Sequence, residues 1–138
     1  GNFEPPFNLP HLAASCGASY VARWTSLHIR RLTRSFKEAI NRKGFRMIEV
    51  IAPCSTLYAR LNKLGSGLNL MRFYHDNSII KHGCDTREVD IGYQNEFICG
   101  RFVDKEADTW LEAKDKHYKT VLGNRYMPMP EEGGWLHG

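Results

Sequence analysis

The sequence predicts an α/β domain, because helical and strand patterns alternate along its first half with only short joints between them. A run of mostly β-branched apolar residues predicts the second strand, and apolar positions at helical spacing predict the helix before it. In order, the expected elements are a helix over 9–16, a strand over 18–24, a helix from Thr25 or Ser26 to Lys43, and a strand over 46–52. Two such strands around one helix are expected to be parallel and joined by a right-handed crossover.

Both helices of this half carry signals for their ends. Asn8 is a possible N-cap for the first helix, Pro10 lies in its first turn, and Gly17 stops it. Gly44 stops the second helix. The apolar positions of this second helix are Ile29, Leu32, Phe36, Ala39 and Ile40.

The second strand leads directly to a cysteine. Its apolar run, from Met47 to Ile51, is typical of a strand covered on both faces. Pro53 cannot donate a ladder hydrogen bond and should end the strand. Cys54 then lies just past the carboxyl end of the strand, at the edge where open α/β sheets bind ligands and cofactors.

The second half is less regular. A helical turn is expected over 58–64, followed by a break at Gly65–Gly67 and a helix over 68–75. Charged, poorly patterned residues predict an irregular connection over 78–94. The remaining expectations are a strand over 96–103 with a central glycine, an amphipathic helix over 106–122, and a tail from Gly123 that is extended and packed on a neighbour or loose.

Composition favours a single globular domain. With 138 residues, 42% hydrophobic and 25% charged, the chain can bury a core and does not look disordered. No apolar run approaches the roughly 20 residues that span a bilayer, and no signal peptide opens the sequence, so we expect no membrane partner and a cytoplasmic location.

Charge argues against a nucleic-acid partner. The net charge of +4 is spread over mixed-sign segments, whereas nucleic-acid binders concentrate a basic stripe interleaved with aromatics. One basic cluster, formed by Arg30, Arg31, Arg34 and Lys37, is interpreted as the solvated face of the second helix.

The four cysteines form no C-x-x-C pair and no zinc pattern, so reduced intracellular thiols are expected. We interpret Cys16 and Cys99 as buried small hydrophobes. Position alone leaves two interpretations of Cys54 open, a buried structural residue or a ligand, and favours the structural one.

Other chemistry-bearing residues have ordinary interpretations. No phosphate loop, nucleophile elbow or H-E-x-x-H motif is present, and no residue is assigned a catalytic role. His11 and His28 are expected to be surface or capping residues. A loop group could bind a metal but is better explained as solvated, and it comprises His75, Asp76, His82, Cys84 and Asp85. The aromatic residues expected in the core are Tyr20, Trp24, Phe36 and Phe45.

Several ordered phrases resemble one enzyme family. They are GNFEPPFNLP at 1–10, YVARWT at 20–25, KGF at 43–45 and IEVIAPC at 48–54, with a looser match at 100–104. Over its first 60 or so residues the chain resembles the carboxy-terminal part of the β subunit of 2-oxoacid:ferredoxin oxidoreductases, most of all the 2-oxoglutarate type. The resemblance implies a portion of a thiamine-diphosphate-binding fold over 1–64 and a C-terminal extension over 65–138, packed on that domain or on a partner subunit.

The resemblance also implies cofactors. The family's β subunit binds thiamine diphosphate with Mg²⁺ and, in many members, one [4Fe–4S] cluster, whose fourth cysteine corresponds to Cys54. The other three cluster cysteines and the Gly-Asp-Gly motif for the diphosphate lie upstream of Gly1 in the family. Ser55 and Thr56 could tune the cluster or simply cap the loop, while Gly1 and Asn2 would lie near the cofactor loop.

The implied activity belongs to a larger assembly. It is the oxidative decarboxylation of a 2-oxoacid, 2-oxoglutarate by preference, with coenzyme A taking the acyl group and ferredoxin taking the electrons. An α subunit would complete the enzyme, and the chain alone is expected to be inactive and to hold neither cofactor tightly. The alternative is a structural or assembly module that keeps part of the fold without its chemistry.

Overall fold

A computed structural model describes residues 3–128 of the chain. Its four strands are β1 (Tyr20–Thr25), β2 (Arg46–Ile51), β3 (Ser78–Ile80) and β4 (Phe97–Asp104). Its α-helices are α1 (Leu9–Ser15), α2 (Ile29–Ile40), α3 (Tyr58–Leu61), α4 (Gly67–Asn77) and α5 (Trp110–Leu122), with short 3₁₀ turns at Thr86–Glu88 and Gly123–Arg125. The predicted α/β class is confirmed.

The strands form one mixed sheet in the order β2-β1-β4-β3. β1 and β2 are parallel, as predicted, with α2 between them in sequence, and Arg23 lies opposite Glu49 in their register. β4 runs antiparallel to β1 on its other side, and β3 is parallel to β4. β1 is therefore flanked by strands on both sides, and all six of its residues are buried.

Each face of β1 packs into its own apolar cluster. Tyr20, Ala22 and Trp24 join one cluster with Ala39 of α2, Tyr74 of α4, and Phe97 and Cys99 of β4. On the opposite face Val21 packs with Ala13 of α1, Ala18, Cys84, Val89 and Phe102. The alternation follows from the two-residue period of a strand. It confirms Tyr20, Trp24 and Cys99 as core residues.

The chain divides into two compact units, one up to residue 106 and one from residue 107 onward. The first holds the whole sheet, to which β3 and β4 contribute from beyond residue 64. In the second unit, α5 begins with a capping box in which Thr109 and Glu112 exchange hydrogen bonds. No residue of α5 is buried. The assignment of 1–64 to a cofactor-binding domain and of 65–138 to an extension stays a prediction.

Some expectations about the second helix were wrong. α2 begins at Ile29 with His28 in the N-cap position, because Thr25 is still the last residue of β1. Phe36 is 48% exposed and Phe45 51% exposed, so neither belongs to the core. The basic cluster on α2 is exposed, as predicted.

The connection after α4 is more ordered than predicted. β3 starts at Ser78 directly after α4 and pairs with β4, and the pairing continues where the Lys81 amide donates to the Cys99 carbonyl at 2.9 Å. The first helix matches its prediction closely, and the Asn8 side chain accepts a hydrogen bond from the His11 amide. Most of the tail after Gly123 lies outside the described residues. None of the helices in the described part is long and apolar enough to cross a bilayer.

Candidate functional site

Cys54 lies in the loop between β2 and α3 and is exposed. The loop closes on itself where the Cys54 carbonyl accepts a hydrogen bond from the Ala59 amide at 3.0 Å. Pro53 precedes the cysteine and follows the end of β2, so the predicted termination of the strand is confirmed. Cys54 is therefore not buried among the described residues, and its role as a ligand stays a prediction.

The loop favours the thiolate form of Cys54. Hydrogen bonding of the sulfur with the backbone amides of Tyr58 and Leu57, and to a lesser extent with the Thr56 side chain, lowers the pKa of the Cys54 thiol. The distance from Cys54 Sγ to Thr56 Oγ1 is 3.9 Å. Donors that stabilise a charged sulfur suit both metal ligation and nucleophilic reactivity.

A cavity of about 530 Å³ opens beside this loop. Cys54, Tyr58 and Tyr74 line it together with apolar side chains from α4 and β4. The Tyr74 hydroxyl donates to the Ala52 carbonyl at 3.3 Å and ties α4 to the end of β2. Burial, followed by the proximity of Tyr58 and Cys54, raises the pKa of Tyr74, so it remains a neutral donor around neutral pH.

A largely buried ion pair joins the two parallel strands β1 and β2. Arg23 Nε and Glu49 Oε2 are 2.6 Å apart, with the arginine side chain fully buried and the glutamate 14% exposed. Arg23 Nη1 also donates to the carbonyls of Val89 and Ile98. This pair was not predicted from the sequence, although Arg23 and Glu49 each interrupt an apolar strand and could have indicated it.

The loop group that could have bound a metal is not assembled. His75 pairs with Asp76 at 2.8 Å, His82 Nδ1 accepts from the Arg101 amide, and Cys84 is buried in the second apolar cluster. Across residues 3–128, no three histidine, cysteine or acidic side chains form a group that could hold a metal ion. Cys16, expected to be buried, is exposed because it follows the last residue of α1 at the surface.

The thiol groups predict a selective labelling pattern. As pH rises, alkylation of Cys54 by iodoacetamide should reach its half-maximal rate below the pH of an ordinary thiol, because the loop lowers the pKa of the Cys54 thiol. Cys99 should not react in the native protein, since burial raises the pKa of its thiol to about 12. Mass spectrometry of labelled peptides across a pH series checks both. Identical Cys54 midpoints in native and urea-denatured protein would contradict the role of the loop.

The structure is thus an α/β unit with an exposed cysteine, whose thiol pKa is lowered, just past the carboxyl end of a parallel strand, the edge where open α/β sheets bind ligands. The chain is 37% identical over 105 residues to the 2-oxoglutarate synthase subunit KorB of Methanothermobacter thermautotrophicus, covering 76% of this chain and 36% of that protein. The chain belongs to the family of 2-oxoacid:ferredoxin oxidoreductase β subunits and matches part of the length of its relatives.

Two further relatives agree. The KorB subunit of Methanocaldococcus jannaschii is 35% identical over 117 residues, which cover 84% of this chain and 43% of that protein. The 2-oxoacid:ferredoxin oxidoreductase subunit beta of Saccharolobus solfataricus is 38% identical over 55 residues, 40% of this chain and 18% of that protein. No family model and no solved structure matches the chain. The chain thus spans about two fifths of the length of these two KorB subunits.

Proposed function

We propose that the chain is part of a 2-oxoacid:ferredoxin oxidoreductase that oxidatively decarboxylates a 2-oxoacid to its acyl-coenzyme A ester and CO₂, passing electrons to ferredoxin. The similarity to KorB subunits over three quarters or more of the chain carries the proposal and favours 2-oxoglutarate as the substrate. A partner α subunit, thiamine diphosphate with Mg²⁺, and a cytoplasmic location belong to the same proposal.

Within this enzyme, Cys54 would supply one thiolate ligand to a [4Fe–4S] cluster. The exposed sulfur and its donors from Thr56, Leu57 and Tyr58 fit such a role, since hydrogen bonds to cluster sulfur ligands also tune reduction potential. The described residues contain no group of three or more histidine, cysteine or acidic side chains that could hold a metal ion, so a cluster bound by Cys54 would need ligands from other parts of the protein. When bound, the cluster would carry electrons one at a time.

The chain's own part in thiamine chemistry would be structural. The same residues show no grouped carboxylates suited to holding Mg²⁺ against a diphosphate. Tyr74, through its bond to Ala52, and the Arg23–Glu49 pair would instead hold the end of β2, and with it the Cys54 loop, in place. The loop's position would then depend on contacts within one compact unit.

The role of Cys54 is tested by Cys54→Ser in the chain co-expressed anaerobically with its native upstream sequence and partner subunit. We expect the purified complex to lose its cluster iron and its visible absorbance, while its circular dichroism and its bound thiamine diphosphate remain unchanged. Cys16→Ser is the matched control, because Cys16 is also exposed, and it should keep the wild-type iron content.

Other outcomes are equally informative. Full cluster content in Cys54→Ser would show that Cys54 is no ligand. Absence of both iron and thiamine diphosphate from the wild-type complex would instead support the alternative, a structural or assembly module built on this fold.

A further inference from the structure

A second cavity, of about 390 Å³, lies in the sheet-bearing unit and shares no residue with the cavity beside Cys54. Two of its arginines come from α2 and one from β4, and an indole ring and an imidazole ring also line it. Its lining includes Trp24, Arg31, Arg34, Glu38, His82 and Arg101. Concave sites of this size with convergent polar groups are where small ligands bind.

Positive charge in this cavity is only partly neutralised. Arg101 Nη1 lies 2.8 Å from Asp104 Oδ2 and 3.4 Å from Glu38 Oε2, so these two carboxylates neutralise the Arg101 charge. Within residues 3–128, Arg31 and Arg34 have no carboxylate partner, and the Arg31 guanidinium lies 6.0 Å from the centre of the Trp24 ring. Because Arg31 and Arg34 are three positions apart on one helix, their like charges repel across one face.

The groups around these arginines are held in place by hydrogen bonds. Trp24 Nε1 donates to Ser35 Oγ at 2.7 Å, and the Tyr20 hydroxyl donates to Glu38 Oε2 at 2.9 Å. Burial, the largest cause, raises the pKa of Tyr20 to about 12, so this donor persists at neutral pH. The lining of the cavity is therefore pre-organised, which lowers the entropic cost of binding a ligand.

The backbone of β4 also orients the imidazole. His82 Nδ1 accepts a hydrogen bond from the Arg101 amide at 3.1 Å. The neutral ring must then carry its proton on Nε2, which leaves that nitrogen as its remaining donor. The imidazole lies edge-on to Trp24, with ring centres 5.9 Å apart.

We propose that this cavity binds the phosphate group of a small ligand, with Arg31 and Arg34 as its charged anchors. Guanidinium groups bind phosphate through paired, charge-assisted hydrogen bonds, and a bound phosphate would remove the repulsion between the two arginines. Glu38 does not block the site, because Tyr20 and Arg101 already engage its carboxylate. None of these residues belongs to the Cys54 loop, and phosphate binding in this cavity does not depend on whether Cys54 binds iron.

Pyrophosphate is the probe. In the full chain labelled with ¹⁵N, titration should shift the Trp24 indole and Arg101 amide resonances in a saturable manner. Arg34→Gln and Arg31→Gln should each weaken binding about fivefold or more, since each removes one charged hydrogen-bonding group from a partly solvated site. Unchanged resonances elsewhere in the spectrum would verify that these surface variants fold.

Arg30→Gln is the matched control, because Arg30 lies on the same helix and is exposed but does not line the cavity. It should change affinity by less than about twofold, as expected of an exposed charge. Equal weakening by Arg30→Gln would overturn the proposal in favour of diffuse attraction to a basic helix. Tighter binding of succinate than of pyrophosphate, or no saturable shift with pyrophosphate, would also overturn it.

Discussion

Replacing Glu49 by alanine is expected to lower the free energy of unfolding by about 3 kcal/mol, because it leaves the Arg23 guanidinium buried without its counter-charge. The Arg23 side chain is fully buried, and its Nη2 already lacks a hydrogen-bond partner among the described residues. Its remaining partners are the neutral carbonyls of Val89 and Ile98, which cannot balance a positive charge. Urea denaturation of the two proteins measures the difference.

Two comparisons separate the ion pair from ordinary loss of contacts. Glu88→Ala removes an exposed glutamate and should change stability by no more than about 0.5 kcal/mol. The double variant Arg23→Met/Glu49→Met removes both charges and should be more stable than Glu49→Ala, because no charge is then left buried alone. A cost for Glu49→Ala no larger than that for Glu88→Ala would show that water reaches Arg23.

The first half of the fold could be predicted because its signals are local. Asn8 and Gly17 bound α1, the apolar run of β2 stops at Pro53, and β1 and β2 pair in parallel as their helix connection requires. These features depend on neighbours a few residues away, which a sequence displays directly.

The rest depends on partners distant in the chain. The antiparallel pairing of β4 with β1 and the short strand β3 join residues far apart, and no turn between them specifies their register. Phe36 fits a helical apolar pattern, which predicted that its side chain is buried, but 48% of it is exposed. Periodicity shows which residues share a face, and tertiary packing decides which face is covered.

For the candidate site, the sequence correctly placed Cys54 just past the end of β2. It did not predict that the thiol is exposed or which groups hydrogen-bond with its sulfur. Those come from the turn that brings the Leu57 and Tyr58 amides toward the sulfur. The Arg23–Glu49 pair needed the parallel register of two strands before either charge could be assigned a partner. The second cavity required α2 and β4 to be brought together, which no local pattern indicates.

Gly100→Ala should be the second strongly destabilising change, at about 3 kcal/mol, from overpacking and backbone strain together. Gly100 lies in β4 with a φ of +155°, and a Cβ there would overlap the Lys81 carbonyl group, whose carbon would be only 3.0 Å away. The segment carrying Lys81 cannot easily withdraw. It is bonded to β4 on both sides of Gly100, through the Cys99 and Arg101 carbonyls.

Gly17→Ala isolates the steric part of this cost. Gly17 has a φ of +84°, also unfavourable for alanine, but nothing lies within 4 Å of its missing Cβ. Its variant should therefore lose only about 1 kcal/mol, the usual cost of a left-handed conformation for a residue with a side chain. Thermal or urea unfolding of the two variants decides the matter. A difference near zero would mean that the Lys81 segment yields to the new methyl group, and a clear excess for Gly100→Ala would show that close backbone packing of this segment against β4 depends on glycine.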